Sequence, residues 1–327
     1  MRTSPMLRET SADSPDPRRV YAALAVAVTT ASFASLLIRW AQPYAPSLVI
    51  AAYRLAIAAA LLWPVLLVQR RRQPERWRPA DVGLTVVSGL FLALHFGTWI
   101  TSLAYTSVAS SAVLVATAPL FVALLSPVAL GEQVPARLFG GLALGLLGIL
   151  TIGASDLCVA VWPPQCSPAA GLLGSQAVQG DLLALCGAAA GAGYLLIGRS
   201  LRHRVSLLPY ITLTYSAAAV GLILAAALRG LPLFGYPAIA LGLFTLLAVF
   251  PQLIAHSTYN WALRHLPAAP VALTLLAEPV AATVLAAVLL RERPDSMELL
   301  GVALILGGIW LGARASAQTG TAAQPRE

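Results

Sequence analysis

Residues 266–294 have the sequence LPAAPVALTLLAEPVAATVLAAVLLRERP, and this stretch decides the class of fold. It is long enough to cross a bilayer as one helix, because about 20 residues suffice. Glu278 lies near its middle, where an acid costs roughly 2.5–3.5 kcal/mol on insertion scales. Pro279 follows and crowds the carbonyl of Leu275, which should leave that carbonyl available to other partners. An acid beside a helix break in mid-membrane predicts a transport pathway.

The same pattern occurs once earlier in the chain, at an offset of 160 residues. Ala118 and Pro119 correspond to Glu278 and Pro279, and the correspondence extends from about residue 20 to residue 151. Other pairs at this offset are Arg39 with Arg199, Glu132 with Glu292, Gly141 with Gly301 and Gly148 with Gly308. The chain is therefore predicted to contain two copies of one unit, of which only the second carries the mid-membrane acid.

Composition excludes several other classes of protein. Of the 327 residues, 58% are hydrophobic and 10% are charged, which is typical of a protein with many membrane spans. All 21 basic residues are arginine, and the absence of lysine removes P-loop and Schiff-base chemistry. No HExxH, GxSxG or clustered Cys/His spacing occurs. We therefore expect no enzyme activity, no cofactor, no metal site and no nucleic-acid binding.

Ten apolar segments predict an all-α integral membrane protein, with ten transmembrane helices arranged as two inverted five-helix repeats. The segments cover about residues 20–38, 46–68, 81–104, 108–130, 136–154, 181–199, 207–228, 238–262, 268–290 and 297–313. The predicted units are a disordered cytoplasmic tail (1–19), the first repeat (20–154), a periplasmic linker (155–179), the second repeat (180–314) and a cytoplasmic tail (315–327).

Loop arginines predict the orientation of the chain. With the N-terminus inside, 16 arginines fall on the inner side and 4 in outer loops, and cytoplasmic loops carry the excess in membrane proteins. Both termini are therefore expected in the cytoplasm. Each repeat has an odd number of spans, so the second enters the membrane upside down relative to the first, which is a recurring plan of secondary transporters.

Five stretches carry a resemblance to a known family. They are YAALAVAVTTASFA, AAYRLAIAAALL, YTSVASSAVLVATAPLFVALLSPVALGEQV, GDLLALCGAAAGAGYLLIGRSLRHR and the stretch at 266–294. Together they resemble the EamA-type members of the drug/metabolite transporter superfamily, over about residues 20–314. The resemblance implies a carrier of the bacterial inner membrane, usually an exporter of amino acids or other small metabolites. It also implies that an arginine near the position of Arg54 is typical of the second span.

Depth along the predicted helices decides which polar side chains can share a site. From the rise per residue, Arg54, His95 and Glu278 lie about 12, 14 and 18 Å from the outer ends of their spans. His256 lies about 20 Å from the outer face of a ~30 Å hydrocarbon core. All four residues therefore fall in one central band.

Three polar residues of the eighth segment recur every four positions, so they should form one stripe that lines a cavity. They are Gln252, His256 and Asn260; Tyr259 lies beside the stripe, and Trp99 lies one turn from His95. The predicted substrate- or proton-binding residues are Glu278, Arg54, His95, Trp99, Gln252, His256, Tyr259 and Asn260, and the predicted helix breaks are Pro119 and Pro279.

Structural alternatives exist for several of these residues. His95 and His256 can serve only as hydrogen-bonding residues between helices. Arg54 can be a structural partner of Glu278 or of backbone carbonyls, and Thr274 can offer its hydroxyl to the Glu278 carboxyl. Glu132 and Glu292 lie at span ends, where capping and pairing with Arg137, Arg291 or Arg293 would explain them.

Cysteine and glycine spacings add two weaker predictions. Cys158 and Cys166 both lie in the long outward loop and could oxidise to a disulfide in the periplasm. Gly141-x3-Gly145, Gly187-x3-Gly191 and Gly308-x3-Gly312 allow helices to approach closely. Packing within a monomer explains them better than a homodimer interface, and both states stay open.

The predicted function is a secondary transporter that exports a small metabolite or amino acid by alternating access. Its expected partners are a small-molecule substrate, the lipid bilayer and, if Glu278 is a coupling site, protons. One alternative is an uncoupled facilitator. Another is a membrane-embedded enzyme or assembly factor, which would need catalytic side chains near one interface, where the loops offer almost nothing but arginine.

Overall fold

The structure is a computed structural model that describes residues 15–72, 77–106, 111, 114–155, 158–159, 165–166, 176–285 and 296–322. Helices make up nearly all of these residues. In the first half they are α1 Pro17–Ala31, α2 Ala34–Ala41, α3 Ser47–Arg72, α4 Pro79–Ser102, α5 Ala118–Leu130 and α6 Ala136–Ser155. In the second half they are α7 Gln176–Arg202, α8 Leu207–Leu228, α9 Ala238–Leu247, a π-helix Ala248–His256, α10 Ser257–Ala262, α11 Ala268–Thr274, α12 Ala277–Leu285 and α13 Ser296–Ala322.

Six helical stretches among the described residues are long and apolar enough to cross a membrane. They are Pro17–Ala41, Ser47–Arg72, Pro79–Ser102, Val178–Arg202, Leu207–Leu228 and Ala238–Ala262. Their outer faces are apolar, and Val65, Val220 and Leu224 each expose more than half of their surface. Lipid tolerates such exposure whereas water does not. The predicted fourth and ninth spans include residues 108–110, 112–113 and 286–290, which lie outside the described residues, so the count of ten stays a prediction.

Helices extend further into the predicted tails than the sequence suggested. α1 begins at Pro17 because the Asp16 carboxylate accepts the Arg18 N–H at 2.9 Å and proline suits the first helical position. Residues 17–19 are therefore helical rather than disordered. α7 likewise begins inside the predicted linker, and α13 continues through the alanine-rich residues 315–322.

Several spans are interrupted at mid-length. α1 and α2 are separated by a turn at Ser32 and Phe33, and α11 and α12 by a turn at Leu275 and Leu276. The Glu278 N–H donates to the Leu275 carbonyl at 3.0 Å. The expectation that this carbonyl stays available was therefore wrong, because the chain tightens into a turn that uses it before Pro279 is reached.

α6 and α13 pack against each other through glycines. A Cβ added at Gly141 would lie 2.6 Å from the carbonyl oxygen of Gly308, and one at Gly148 would lie 2.5 Å from that of Gly301. At the 160-residue offset Gly141 corresponds to Gly301 and Gly148 to Gly308. The contact of Gly141 with Gly308 therefore corresponds to the contact of Gly148 with Gly301. The contact, which we call the glycine seam, is thus two-fold symmetric in sequence terms. Both of its helices belong to this chain, as the monomer packing prediction required.

Glu132 connects α7 and α11 on one face of the molecule. Its carboxylate accepts from Arg199 Nε at 2.6 Å and from the Ala268 N–H at 3.1 Å. Arg199 also donates to the Leu263 carbonyl at 2.7 Å. Glu132 therefore caps α11 and pairs with α7. Arg137, the partner suggested by sequence proximity, belongs to the following helix, and Glu292 lies outside the described residues.

The segment between the two halves of the chain contains a short antiparallel ladder. Its strands β1 Cys158–Val159 and β2 Gln165–Cys166 pair with Cys158 directly opposite Cys166. Directly opposed residues of such ladders have Cα atoms about 4.5–5.5 Å apart, within the range that a disulfide spans. The backbone register thus suits the bond, which itself stays a prediction.

Candidate functional site

A central cavity of about 110 Å³ brings together most of the polar residues that the sequence singled out. The predicted residues that line it are Arg54, His95, Trp99, Pro119, His256, Tyr259 and Glu278. They come from α3, α4, α5, α10, α12 and the π-helix, so the cavity draws on both halves of the chain. Arg54, His95, His256 and Glu278, which were expected in one central band, thus line one cavity.

Glu278 is held at the start of α12 by two neighbouring elements. Its side-chain Oε1 accepts from the Tyr259 hydroxyl at 2.9 Å, and its backbone carbonyl accepts from the Ser32 hydroxyl at 3.1 Å. Thr274, expected to donate to the same carboxyl, instead donates to the Val271 carbonyl of its own helix at 2.7 Å. A threonine in a helix readily bonds back to the preceding turn, and that local bond prevails here.

Arg54 is buried with 1% of its surface exposed. Its Nε donates to Gln252 Oε1 at 2.9 Å, and its guanidinium carbon lies 3.9 Å from the centre of the Phe96 ring. Its Nη1 has no hydrogen-bond partner among the residues that the structure describes. Within the same residues Arg54 forms no ion pair with Glu278, so Gln252 and Phe96 hold the guanidinium in place.

The two histidines differ in how fully they are bonded. His95 donates from Nδ1 to the Gly187 carbonyl at 2.8 Å and stacks on Trp99 with ring centres 5.9 Å apart. His95 therefore makes a hydrogen bond between two helices, as its structural alternative expects. His256 lies with its ring 6.4 Å from that of His95, and its Nδ1 has no partner among the described residues.

Gln252 and Asn260 do not line the cavity, contrary to the expectation of one polar stripe. Both are fully buried behind the wall: Gln252 holds Arg54, while Asn260 donates to the Tyr194 hydroxyl and to the His256 carbonyl. Gln252 belongs to a π-helix, in which the Ser257 N–H reaches the Gln252 carbonyl five residues back. Hydrogen bonds to Arg54, to Tyr194 and to the His256 carbonyl hold the two side chains behind the wall instead.

The sequence reasoning missed two aromatic residues of the site. Tyr194 lines the cavity, and Phe96 lies beside it under Arg54. The 160-residue offset carried the missing signal, because Phe96 corresponds to His256 and Tyr194 to Ala34. Other lining residues also form pairs at this offset: Ala31 with Gly191, Trp99 with Tyr259, Val115 with Leu275 and Ala118 with Glu278. The cavity thus lies between corresponding positions of the two halves.

The model of the EamA-like transporter family matches the chain twice, at residues 18–154 and 178–313. The chain belongs to the EamA-like transporter family. It is accordingly a multi-pass membrane protein and a transporter, as the resemblance implied. Within the described residues of this EamA-like transporter, no three His, Cys, Asp or Glu side chains cluster as metal ligands would.

Two individual proteins resemble this EamA-like transporter over most of its length. An uncharacterized transporter of Archaeoglobus fulgidus is 24% identical over 300 residues, which cover 89% of this chain and 97% of that protein. A crystal structure described only as that of a protein has 19% identity and a TM-score of 0.71, covering 93% of this chain and 99% of that one. The second similarity is one of fold alone.

Proposed function

We propose that this EamA-like transporter is a secondary carrier that moves a small metabolite through the central cavity by alternating access. The observation that carries the proposal is Glu278, an acid that faces this cavity from the broken helix between α11 and α12. An ionisable side chain in a transmembrane segment usually belongs to a substrate or ion pathway. Glu278 is the proton-coupling site of the carrier, and export from the cytoplasm is its direction.

Two inverted five-helix repeats, at residues 20–154 and 180–314, are the proposed moving parts. The two separate family matches support this division, and so does the exchange of contacts in the glycine seam. A second pair of bonds has the same symmetry: Gln42 donates to the Ile100 carbonyl, and Arg202 donates to the Asn260 carbonyl. Repeats related in this way can exchange conformations, which turns the cavity from one side of the membrane to the other.

The arginine-rich face is proposed to be cytoplasmic, with both termini on that side of a bacterial inner membrane. The Glu132–Arg199 pair lies on this face, and Arg199 follows the cavity residue Tyr194 by five positions on α7, about 7.5 Å along the axis. Its bonds join α5, α7 and the connection into α11. These contacts support a closed cytoplasmic side.

A charge-neutral variant of Glu278 tests the coupling. Glu278→Gln keeps the shape of the side chain and can still accept from Tyr259, but it cannot exchange a proton. In proteoliposomes it should therefore lose gradient-driven accumulation of substrate while retaining exchange of labelled substrate at equal concentrations. Asp16→Asn is the matched control, because it neutralises an acid that caps α1 outside the cavity.

The outcomes separate the possible roles of Glu278. Exchange that survives without accumulation supports proton coupling. Loss of both activities, at equal amounts of folded protein, would assign Glu278 to substrate binding instead. Wild-type accumulation by Glu278→Gln would contradict the proposed coupling, and a wild-type protein that never accumulates substrate would be an uncoupled facilitator.

A further inference from the structure

The central cavity contains more hydrogen-bond donors than it can satisfy. Arg54 Nη1 and Trp99 Nε1 are both buried, and neither has a partner among the described residues. Arg54 exposes 1% of its surface and Trp99 9%, and both side chains line the cavity. A buried donor left unpaired bears the full cost of desolvation, and the cost is larger for a charged one. Such pairs of atoms mark a place where an acceptor belongs.

The side chains that carry the two donors both lie beside the ring of Phe96. The guanidinium carbon of Arg54 lies 3.9 Å from the centre of Phe96, and the Trp99 ring centre lies 6.2 Å from it. The bond from Arg54 Nε to Gln252 fixes the plane of the guanidinium, so its remaining donors have a defined direction. A fixed fork of N–H groups fits the two oxygens of a carboxylate better than any neutral group.

The acid of the cavity is already engaged elsewhere. Glu278 Oε1 accepts from Tyr259, and Glu278 forms no ion pair with Arg54 within the part of the chain described. The positive charge of Arg54 is therefore not neutralised by a direct carboxylate contact. A ligand anion would both neutralise this charge and satisfy the unpaired donors.

We infer that the cavity binds small molecules through a carboxylate group, which pairs with Arg54 Nη1 and Trp99 Nε1. The inference rests on the proposed transport function and names the chemical class of its substrate. The aromatic surfaces of Trp99, Tyr194 and Tyr259 give the rest of the ligand an apolar environment. Arg54 is thus the residue that selects an acid over the amide or amine of the same size.

Binding of matched probes to the purified transporter tests this selection without any transport step. The probes are phenylacetate, phenylacetamide and phenethylamine, together with isocaproate, isocaproamide and isohexylamine. Affinities are measured by titration calorimetry and by the shift of the thermal unfolding midpoint. At least one acid should bind roughly tenfold or more tightly than its amide and amine, as expected for hydrogen bonds to a charged group.

Variants assign the preference to its atoms. Arg54→Gln should weaken binding of the acid roughly 10- to 100-fold and erase its advantage over the amide. Trp99→Phe removes only one N–H from a ring of similar shape and should weaken the acid several-fold, about the value of one hydrogen bond. Trp40→Phe is its matched control on a half-exposed tryptophan outside the cavity and should match the wild type. Glu278→Gln should bind the acid at least as tightly, because a competing negative charge is gone.

Three results would overturn the carboxylate site: no acid binds, an amine binds best, or the preference for the acid survives Arg54→Gln in a folded protein. If an amine binds best and is transported, the transport function stands and only the substrate class fails. If the acid binds through Arg54 but wild-type proteoliposomes do not carry it or any exchange partner, the carboxylate site stands and the transport proposal fails.

Discussion

At the scale of single residues, Arg54 is the most constrained side chain of the cavity. One edge of its guanidinium donates to Gln252, one face lies on Phe96, and Nη1 remains available. An arginine can do these three things together because its charge is spread over a rigid plane with five donors. A lysine ammonium is a point charge without a face or a fork.

Arg54→Lys therefore separates charge from geometry. The variant keeps the positive charge but cannot maintain the Gln252 bond, the Phe96 contact and a directed donor at once. We expect at least a tenfold loss of transport, since hydrogen bonds to charged groups are worth about 1.5–3 kcal/mol. Initial rates of uptake into proteoliposomes measure the effect at equal amounts of inserted protein. Wild-type rates would mean that charge alone matters at this position.

Single residues also show what the sequence could and could not predict. Glu278 and Arg54 were predictable because a charge in an apolar run is conspicuous and costly. The partners of these residues were not, since Gln252 reaches Arg54 from another helix and Thr274 bonds to its own helix. Tyr194 carried no local signal at all, because a tyrosine in a membrane span is unremarkable until the fold brings it to a cavity.

At the scale of helices, the Glu132–Arg199 pair acts as a removable connection between α5, α7 and α11. The side chains expose 20% and 13% of their surfaces, so the pair is neither fully buried nor freely hydrated. In that setting the attraction and the cost of desolvation largely cancel, and the net free energy of pairing is small. A contact of this kind can stabilise the conformation that is closed on the arginine-rich face without preventing the open one.

Neutralising either partner should therefore open the arginine-rich face. Glu132→Gln or Arg199→Gln should make a cysteine placed at Leu195 more reactive towards a membrane-impermeant thiol reagent applied from the cytoplasmic side. The exchanged pair Glu132→Arg with Arg199→Glu should restore much of the protection. Unchanged labelling in both single variants would contradict a closing role.

A nearby histidine reports on the same pair. His203, in the turn after α7, has its pKa held below the ordinary value of 6.5 by burial and then by the positive charge of Arg199. Arg199→Gln removes that charge and frees the negative charge of Glu132, which acts in the opposite direction. The same variant should therefore raise the pKa of His203, as followed by its NMR titration.

Sequence periodicity predicts some helix interruptions and not others. A Pro-containing repeat predicted interruptions near Pro119 and Pro279, and α5 and α12 do begin just before them. The π-helix around Pro251 was not predicted, because a change from four- to five-residue bonding leaves no trace in the pattern of apolar residues. Gln252 and Asn260 were expected to line the cavity but are buried behind its wall, although their span was identified.

At the scale of the whole molecule, the glycine seam joins the two halves of the chain. An alanine at Gly308 would place its Cβ 2.5 Å from the Gly141 carbonyl oxygen, and one at Gly148 would meet Gly301 at the same distance. The obstacle is backbone in both cases, so a side-chain rotation cannot relieve it. α6 and α13 would have to separate.

Gly148→Ala and Gly308→Ala should each destabilise the protein by about 1–3 kcal/mol, the usual cost of overpacking. The two values should be similar because the positions are equivalent under the repeat. Gly242→Ala on α9 is the control: nothing lies within 4 Å of its added Cβ, so it should be neutral or slightly stabilising. Thermal unfolding in nanodiscs measures all three. Seam variants as stable as Gly242→Ala would contradict the packing described.

Overall organisation was the most predictable level. Composition identified a membrane protein, and the 160-residue offset pointed to the four glycines that meet in the seam, although it pairs them differently. Composition and offset both depend on many residues, so an unexpected structure at one position does not change the prediction. Contacts such as that of Glu132 with Arg199 depend on how α5 and α7 approach in space, which no sequence periodicity encodes.

Glu278 belongs to one half of the chain alone, and its counterpart is Ala118. If the two halves exchange shapes during the cycle, the two end states resemble each other in form but not in charge. They then differ in free energy, and the carrier dwells longer in one than in the other. On the proposed mechanism, loading from the two compartments proceeds at unequal rates even when no driving force is applied. An acid present in only one of the two copies is thus enough to give a symmetric scaffold a kinetic polarity.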